Sequence, residues 1–302
     1  MENQRQSSLA MIDVEQYTLS CVLGDGGYGK VYGATRKSDS LPVAFKIIED
    51  FQGNMDEELD EPLPMEVSLM LKLAHIQGVV KLIDYRLQGK ELIIVMERVE
   101  NSMDLRALFD EESFTPELAK FLFQQLVKTV AECHAAGVVH RDIKPENIIV
   151  DLDTNQIKLI DFGSATYFKQ SYDNFSGTAE YQPPEFFRDQ QCDAVASEVW
   201  ALGLTLLEMF SGRLPYYHSI KQLSMLRNGH IIIPSDTPTL CQNLIRDMLK
   251  VDWMERISLG DVLCHPYVTS SSEAFRPYQL FGSPDMFEVW RFQLNMRFLP
   301  CL

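Results

Sequence analysis

The sequence predicts an α+β chain of two lobes: a small β-rich one over residues 17–97, a hinge at 98–102, and a larger, mainly helical one over 103–268. Three observations carry this. Residues 17–96 alternate apolar and polar side chains in short runs, the period of half-buried strands. Beyond residue 103 the runs lengthen to helical spacing. A glycine-dense turn, LGDGGYGKVY from Leu23 to Tyr32, opens the strand-rich part.

In chain order, residues 1–16 are polar and expected to be flexible. YTLSCVLGDGGYGKVYGATR reads as two strands joined by the glycine turn, and LPVAFKIIE as a third. The acidic, turn-rich stretch EDFQGNMDEELDEP, residues 49–62, reads as a solvated loop. PMEVSLMLKLA then sets Met65, Leu69 and Leu73 at helical spacing behind Pro64, and VVKLIDYRL and KELIIVMER complete the β-rich unit. In the second lobe, Thr115 and Pro116 are a good cap and first position for a helix that stops at Gly137. NIIV and QIKLI are short apolar strands. SEVWALGLTLLEMFSG is apolar nearly all round, as a buried central helix is. TLCQNLIRDMLK and SLGDVLCHPYV are later amphipathic helices, and an aromatic-rich tail covers 269–302, expected to dock on its own domain.

Composition is ordinarily globular, with 46% hydrophobic and 23% charged residues. A net charge of −16 argues against nucleic-acid or anionic-membrane partners. Six scattered cysteines without a C-x-x-C pair read as reduced, buried thiols, and no stretch looks long and apolar enough to span a membrane. A monomeric protein of the cytoplasm or nucleus is the expectation.

The spacing of Gly24, Gly26 and Gly29 is shared by several phosphate-binding loops. In a dinucleotide-binding fold the third glycine opens a helix. Here KVYGATR follows and alternates as a strand, so the loop is a hairpin over a phosphate chain and a nicotinamide-dependent oxidoreductase is set aside. Lys46 follows on the next strand in VAFK. HRDIKPENIIV, from His140, and Asp161-Phe162-Gly163 supply what phosphoryl transfer needs. Asp142 accepts or orients the hydroxyl proton, Lys144 offsets charge on the transferred group, and Asn147 and Asp161 offer the oxygens that Mg²⁺ prefers.

Together these motifs make residues 17–268 similar to eukaryotic protein kinases, and the order of segments resembles the PIM kinase family (PMEVSLMLKL, VMERVENSMDL, HRDIKPENIIVDL, KLIDFGS, GTAEYQPPE). The resemblance implies a bilobal kinase fold and transfer of the ATP γ-phosphate to serine or threonine of protein substrates. It implies ATP contacts from Leu23, Gly24, Gly26, Gly29, Val31, Ala44, Lys46, Glu97 and Val99, with Tyr28 capping the loop tip. Glu66 is implied as the helix partner of Lys46, and Glu185 as the partner of Arg256. Lys144 and Thr178 match the serine/threonine pattern. Asp104, Glu146 and Glu208 match acidic positions that hold substrate arginines upstream of the acceptor. The alternative is a pseudokinase scaffold, but Lys46, Asp142 and Asp161 are all present.

Several positions depart from the PIM pattern. Val99 replaces a hinge proline and restores an N–H that could bond adenine. Ser176 replaces an acidic residue and is a candidate phosphorylation site reaching Arg141. Arg213 and Ala107 replace acidic residues, relaxing the demand for several arginines. Glu198 stands where most kinases carry aspartate.

Overall fold

The computed structural model describes residues 14–26, 29–57, 59, 62–111, 114–214 and 220–270. The expectations for Gly27 and Tyr28, for residues 1–13, and for the tail from 271 with Cys301 lie outside the described residues. Residues 14–16, expected to be part of a flexible segment, form a short 3-10 turn, and Lys37 N donates to Gln16 O at 2.8 Å.

The small lobe begins with β1 (Tyr17–Gly26), β2 (Gly29–Arg36) and β3 (Pro42–Ile48). A hairpin of β4 (Met55–Asp56) and β5 (Leu63–Pro64) leads directly into helix α1 (Met65–Lys72), and β6 (Leu82–Gln88) and β7 (Glu91–Glu97) follow. The main sheet is antiparallel in the order β1-β2-β3-β7-β6. Its period of two sorts the side chains by face. Tyr17, Ala34, Val43, Phe45, Ile93 and Val95 cluster on one side. Ala44, Leu92, Ile94 and Met96 turn to the other and join Val67, Leu69, Met70 and Leu73 of the α1 region.

The acidic stretch corrects the sequence reading. It is not wholly a solvated loop: β4 lies within it and pairs with β5 just beyond its end, and Asp56 is only 1% exposed. Its carboxylate finds hydroxyl donors in Ser68 of α1 and in Tyr167 of the large lobe, which composition could not announce.

The hinge runs into β8 (Ser102–Asp104) and the single turn α2 (Leu105–Leu108). Helix α3 (Pro116–Ala135) is capped by Thr115, whose side chain accepts Leu118 N at 3.2 Å. Next come β9 (Val138–Val139), β10 (Ile148–Asp151), β11 (Ile157–Leu159), β12 (Thr166–Tyr167) and β13 (Ser171–Tyr172). Then follow α4 (Pro184–Asp189), β14 (Cys192–Asp193) and α5 (Ala194–Ser211). The lobe ends with α6 (Ile220–Arg227), α7 (Thr239–Met248), α8 (Leu259–Cys264) and α9 (Pro266–Thr269). Pro266 splits the last predicted helix in two, since proline cannot continue the hydrogen-bond ladder.

Helix α5 is the axis of the large lobe. Contrary to the sequence expectation, its 18 residues, at a mean hydropathy of 1.3, are long and apolar enough to cross a membrane. They are apolar because they are enclosed: Val199, Trp200, Leu202, Leu204, Leu206 and Leu207 have no exposed surface. Among the cysteines, Cys133, Cys192 and Cys241 are buried as expected, but Cys264 is exposed and Cys21 half-buried.

Candidate active site

The sheet register assembles the nucleotide side. On β3, Ala44 and Lys46 face α1, and their partners on β2 are Gly33 and Val31. Val31 pairs in turn with Gly24, and Gly26 with Gly29, so the glycine hairpin overhangs Lys46. Gly29 has φ +118°, and a Cβ there would sit 2.6 Å from Ile47 O, so a side chain is excluded. Leu23 is exposed, Val31 partly buried and Ala44 buried.

Lys46 Nζ bridges two carboxylates, at 2.7 and 3.0 Å from the oxygens of Glu66 and 2.7 Å from Asp161 Oδ1. Burial opposes the charge on Lys46, yet the two anions together outweigh it and raise its pKa. Burial also opposes the Asp161 charge, but Lys46 holds that carboxyl below the ordinary range. Glu66 is pushed up by burial, which Lys46 only partly offsets. Asp161 itself is left-handed (φ 62°), and Phe162 behind it packs edge-on against His140 at 4.8 Å.

The loop from His140 to Asn147 is held from three sides. Asn147 Nδ2 donates to Asp142 O at 2.8 Å and Oδ2 at 3.0 Å. Thr178 N donates to Asp142 Oδ1 at 2.8 Å, while Lys144 Nζ lies 3.1 Å from Oδ2 and donates to Thr178 Oγ1 at 2.6 Å. Glu198 ties the loop down: its Oε1 accepts His140 N at 2.6 Å and Arg141 N at 2.7 Å, and its Oε2 meets His134 Nε2. Burial pushes Glu198 up, but His134 more than reverses it, and its carboxyl is lowered while the His134 imidazole is raised. Gly177, next to Thr178, has φ +119°, and a Cβ there would meet Arg141 O at 2.4 Å. Downstream, Arg256 and Glu185 form a fully buried two-bonded pair at 2.9 and 2.8 Å, as the sequence implied.

Lys, Asp and Asn in this order, held around a glycine hairpin, are mirrored in known proteins. The protein kinase domain family matches residues 17–268. The chain belongs to the protein kinase family. The serine/threonine-protein kinase prk-2 of Caenorhabditis elegans is 36% identical over 266 residues, covering 84% of this chain and 58% of its own length. The serine/threonine-protein kinase pim-2 of Danio rerio is 35% identical over 273 residues, covering 85% of this chain and 86% of its own. This is therefore a serine/threonine protein kinase resembling the PIM group, and protein kinases use ATP with Mg²⁺.

At the kinase hinge, Val99 O accepts Ser102 Oγ at 2.7 Å, and Val99 N donates to no group among the described residues. The Glu97 side chain turns elsewhere: its Oε1 accepts Lys81 N at 2.9 Å and Lys158 Nζ at 2.8 Å. Its main-chain N–H donates to Lys81 O at 2.9 Å, which leaves the carbonyl.

On the substrate side, Asp104 accepts Ala107 N at 2.8 Å and caps α2. Glu146 is exposed. Glu208 is buried and accepts Tyr181 OH; burial, then the charge of Glu146, pushes its carboxyl up to about 8. Ser176 Oγ donates to Ser164 Oγ at 3.1 Å, and Arg141 stacks over the Tyr172 ring at 5.0 Å. His134 and Tyr181 hold Glu198 and Glu208 and carry no signal in the sequence, because neither belongs to a spaced motif.

Proposed function

We propose that this kinase transfers the γ-phosphate of ATP to serine or threonine in protein segments with basic residues upstream of the acceptor. Glu208 carries the substrate reading. Burial first, and then the charge of Glu146, push the Glu208 carboxyl up and disfavour its anion, so an incoming guanidinium that favours the anion relieves both burial and repulsion. Arg106 partly offsets Glu208, which fits a relaxed rather than absolute demand for arginine.

The donor set suits Mg²⁺. Asn147 commits its Nδ2 to Asp142, leaving Oδ1, and Asp161 commits Oδ1 to Lys46, leaving Oδ2: two hard oxygens on facing segments. Bound there, the metal supplies positive charge against the phosphate oxygens. Leu23, Val31 and Ala44 give an apolar seat for adenine, the Val99 N–H and the Glu97 carbonyl its hydrogen bonds, and Gly24, Gly26 and Gly29 a backbone close to the phosphates. Asp142 orients the acceptor hydroxyl and receives its proton. Lys144, already between Asp142 and Thr178, stands ready to offset charge on the transferred group.

The protein works as a monomer in the cytoplasm or nucleus, and its net charge of −16 sets it against polyanionic partners. ATP turnover with an arginine-rich serine peptide, compared with Asp161→Asn, tests the assignment. Equal turnover in the two would leave only a nucleotide-binding scaffold, and a peptide library without basic preference would remove the substrate class.

A further inference from the structure

A buried carboxylate outside the catalytic motifs reaches both halves of the kinase switch. Asp56 lies on β4, and its Oδ2 accepts Ser68 Oγ from α1 and Tyr167 OH, the latter at 2.6 Å. The two hydroxyls are themselves 3.1 Å apart, so the three side chains close a triangle. A carboxylate this deeply buried is costly without donors, and two hydroxyls on one oxygen supply them.

The elements it joins are the ones that matter. Ser68 and Lys72 are one helical turn apart on the same face of α1, and Lys72 Nζ lies 5.2 Å from the centre of the Tyr167 ring. Glu66, two residues before Ser68, points from another face toward Lys46. Pro64 gives α1 no side-chain cap. Tyr167 follows the Asp161-Phe162-Gly163 turn by four residues, and β12 pairs with β9 just before His140. On the other side, Met65 N donates to Asn54 O at 2.9 Å, which fixes the hairpin to the start of the helix.

We propose that Asp56 is a positioning residue: through Ser68 and Tyr167 it clamps α1 to the strand after Asp161 and so keeps Glu66 on Lys46. Helix placement is thereby tied to the hairpin of β4 and β5. The clamp rests on the reading of Lys46 as a phosphate contact.

The test is calorimetric titration of the full chain with MgADP, which reports affinity and the fraction of competent sites separately. Tyr167→Phe and Asp56→Ala each raise Kd about fivefold with stoichiometry near one, the loss of roughly one hydrogen bond's support. Asp56→Asn, which keeps an acceptor oxygen, raises it less. Lys46→Met is the control for the underlying reading and weakens binding about tenfold. A Kd within about twofold of wild type in Tyr167→Phe and Asp56→Asn, with Lys46→Met behaving as stated, overturns the clamp alone. A lowered stoichiometry at unchanged Kd also overturns it, since that is mere loss of folded protein. If Asp56→Ala does not fold, Tyr167→Phe decides, because it removes a single hydroxyl. Failure of Lys46→Met to weaken binding strikes instead at the nucleotide site.

Discussion

Lys144 Nζ donates to Thr178 Oγ1 at 2.6 Å while standing 3.1 Å from Asp142 Oδ2. One threonine thus holds Lys144 by its hydroxyl and Asp142 by its N–H. Thr178→Val keeps the shape and removes the hydroxyl. Initial rates should show kcat lower by about tenfold with Thr178→Ser restoring most of it, because the methyl group makes no polar contact.

Val99 gives the hinge an N–H that a proline would lack. Inhibitors that need two main-chain contacts should bind Val99→Pro about fivefold more weakly, the worth of one hydrogen bond, while single-contact inhibitors hold their affinity. Equal affinities for the first group would remove Val99 from the adenine site.

The Glu198–His134 pair makes the seat of the catalytic loop depend on pH. His134 is raised above its unfolded value, so its contribution to stability is full below about pH 6.5 and fades as pH climbs through the higher folded value. Glu198 is lowered, so its contribution fades at the acid end, as pH falls through the folded value. The melting-temperature gap between wild type and His134→Gln should therefore be wider at about pH 6 than at about pH 9. Glu198→Ala strands two backbone N–H groups and His134 at once and should cost about 3–5 kcal/mol by denaturant unfolding.

Glu208 titrates in the opposite sense for substrate. Its carboxyl is neutral below about 8, and a guanidinium favours the anion. KM for an arginine peptide should fall roughly tenfold between about pH 6.5 and 8.5, and Glu208→Gln should flatten the profile. Stability moves the other way. The folded state keeps a proton that the unfolded chain has already lost, so the group costs stability as pH rises from about 4.5 to about 8.

Much of this was legible in the residues. Lys46, Asp142, Asn147 and Asp161 announce themselves because phosphoryl transfer fixes both their chemistry and their order. The strand of Lys46 announces itself because one of its faces is buried against α1. Asp56 did not, since an aspartate among acidic neighbours looks solvated until its two hydroxyl partners, twelve and 111 residues away, arrive. The short elements β4, β5, β9 and β12 were missed for a related reason. Two residues carry no period, and only pairing across the fold defines them. Glu198 was noted as a departure, but its partner His134 lies 64 residues upstream inside a helix whose spacing explained it fully.

The turned-away side chain of Glu97 has a mechanical meaning. It bonds Lys81 of the small lobe and Lys158 on β11 of the large one, beside Leu159, whose N–H and carbonyl bond Gly78 and Val80. The lobes are stitched at the back, so the side of the cleft away from Glu97 is the one left free to open. Because the Lys158 bond is partly exposed and charged, added salt should weaken that stitch, and stopped-flow release of ADP should quicken with ionic strength.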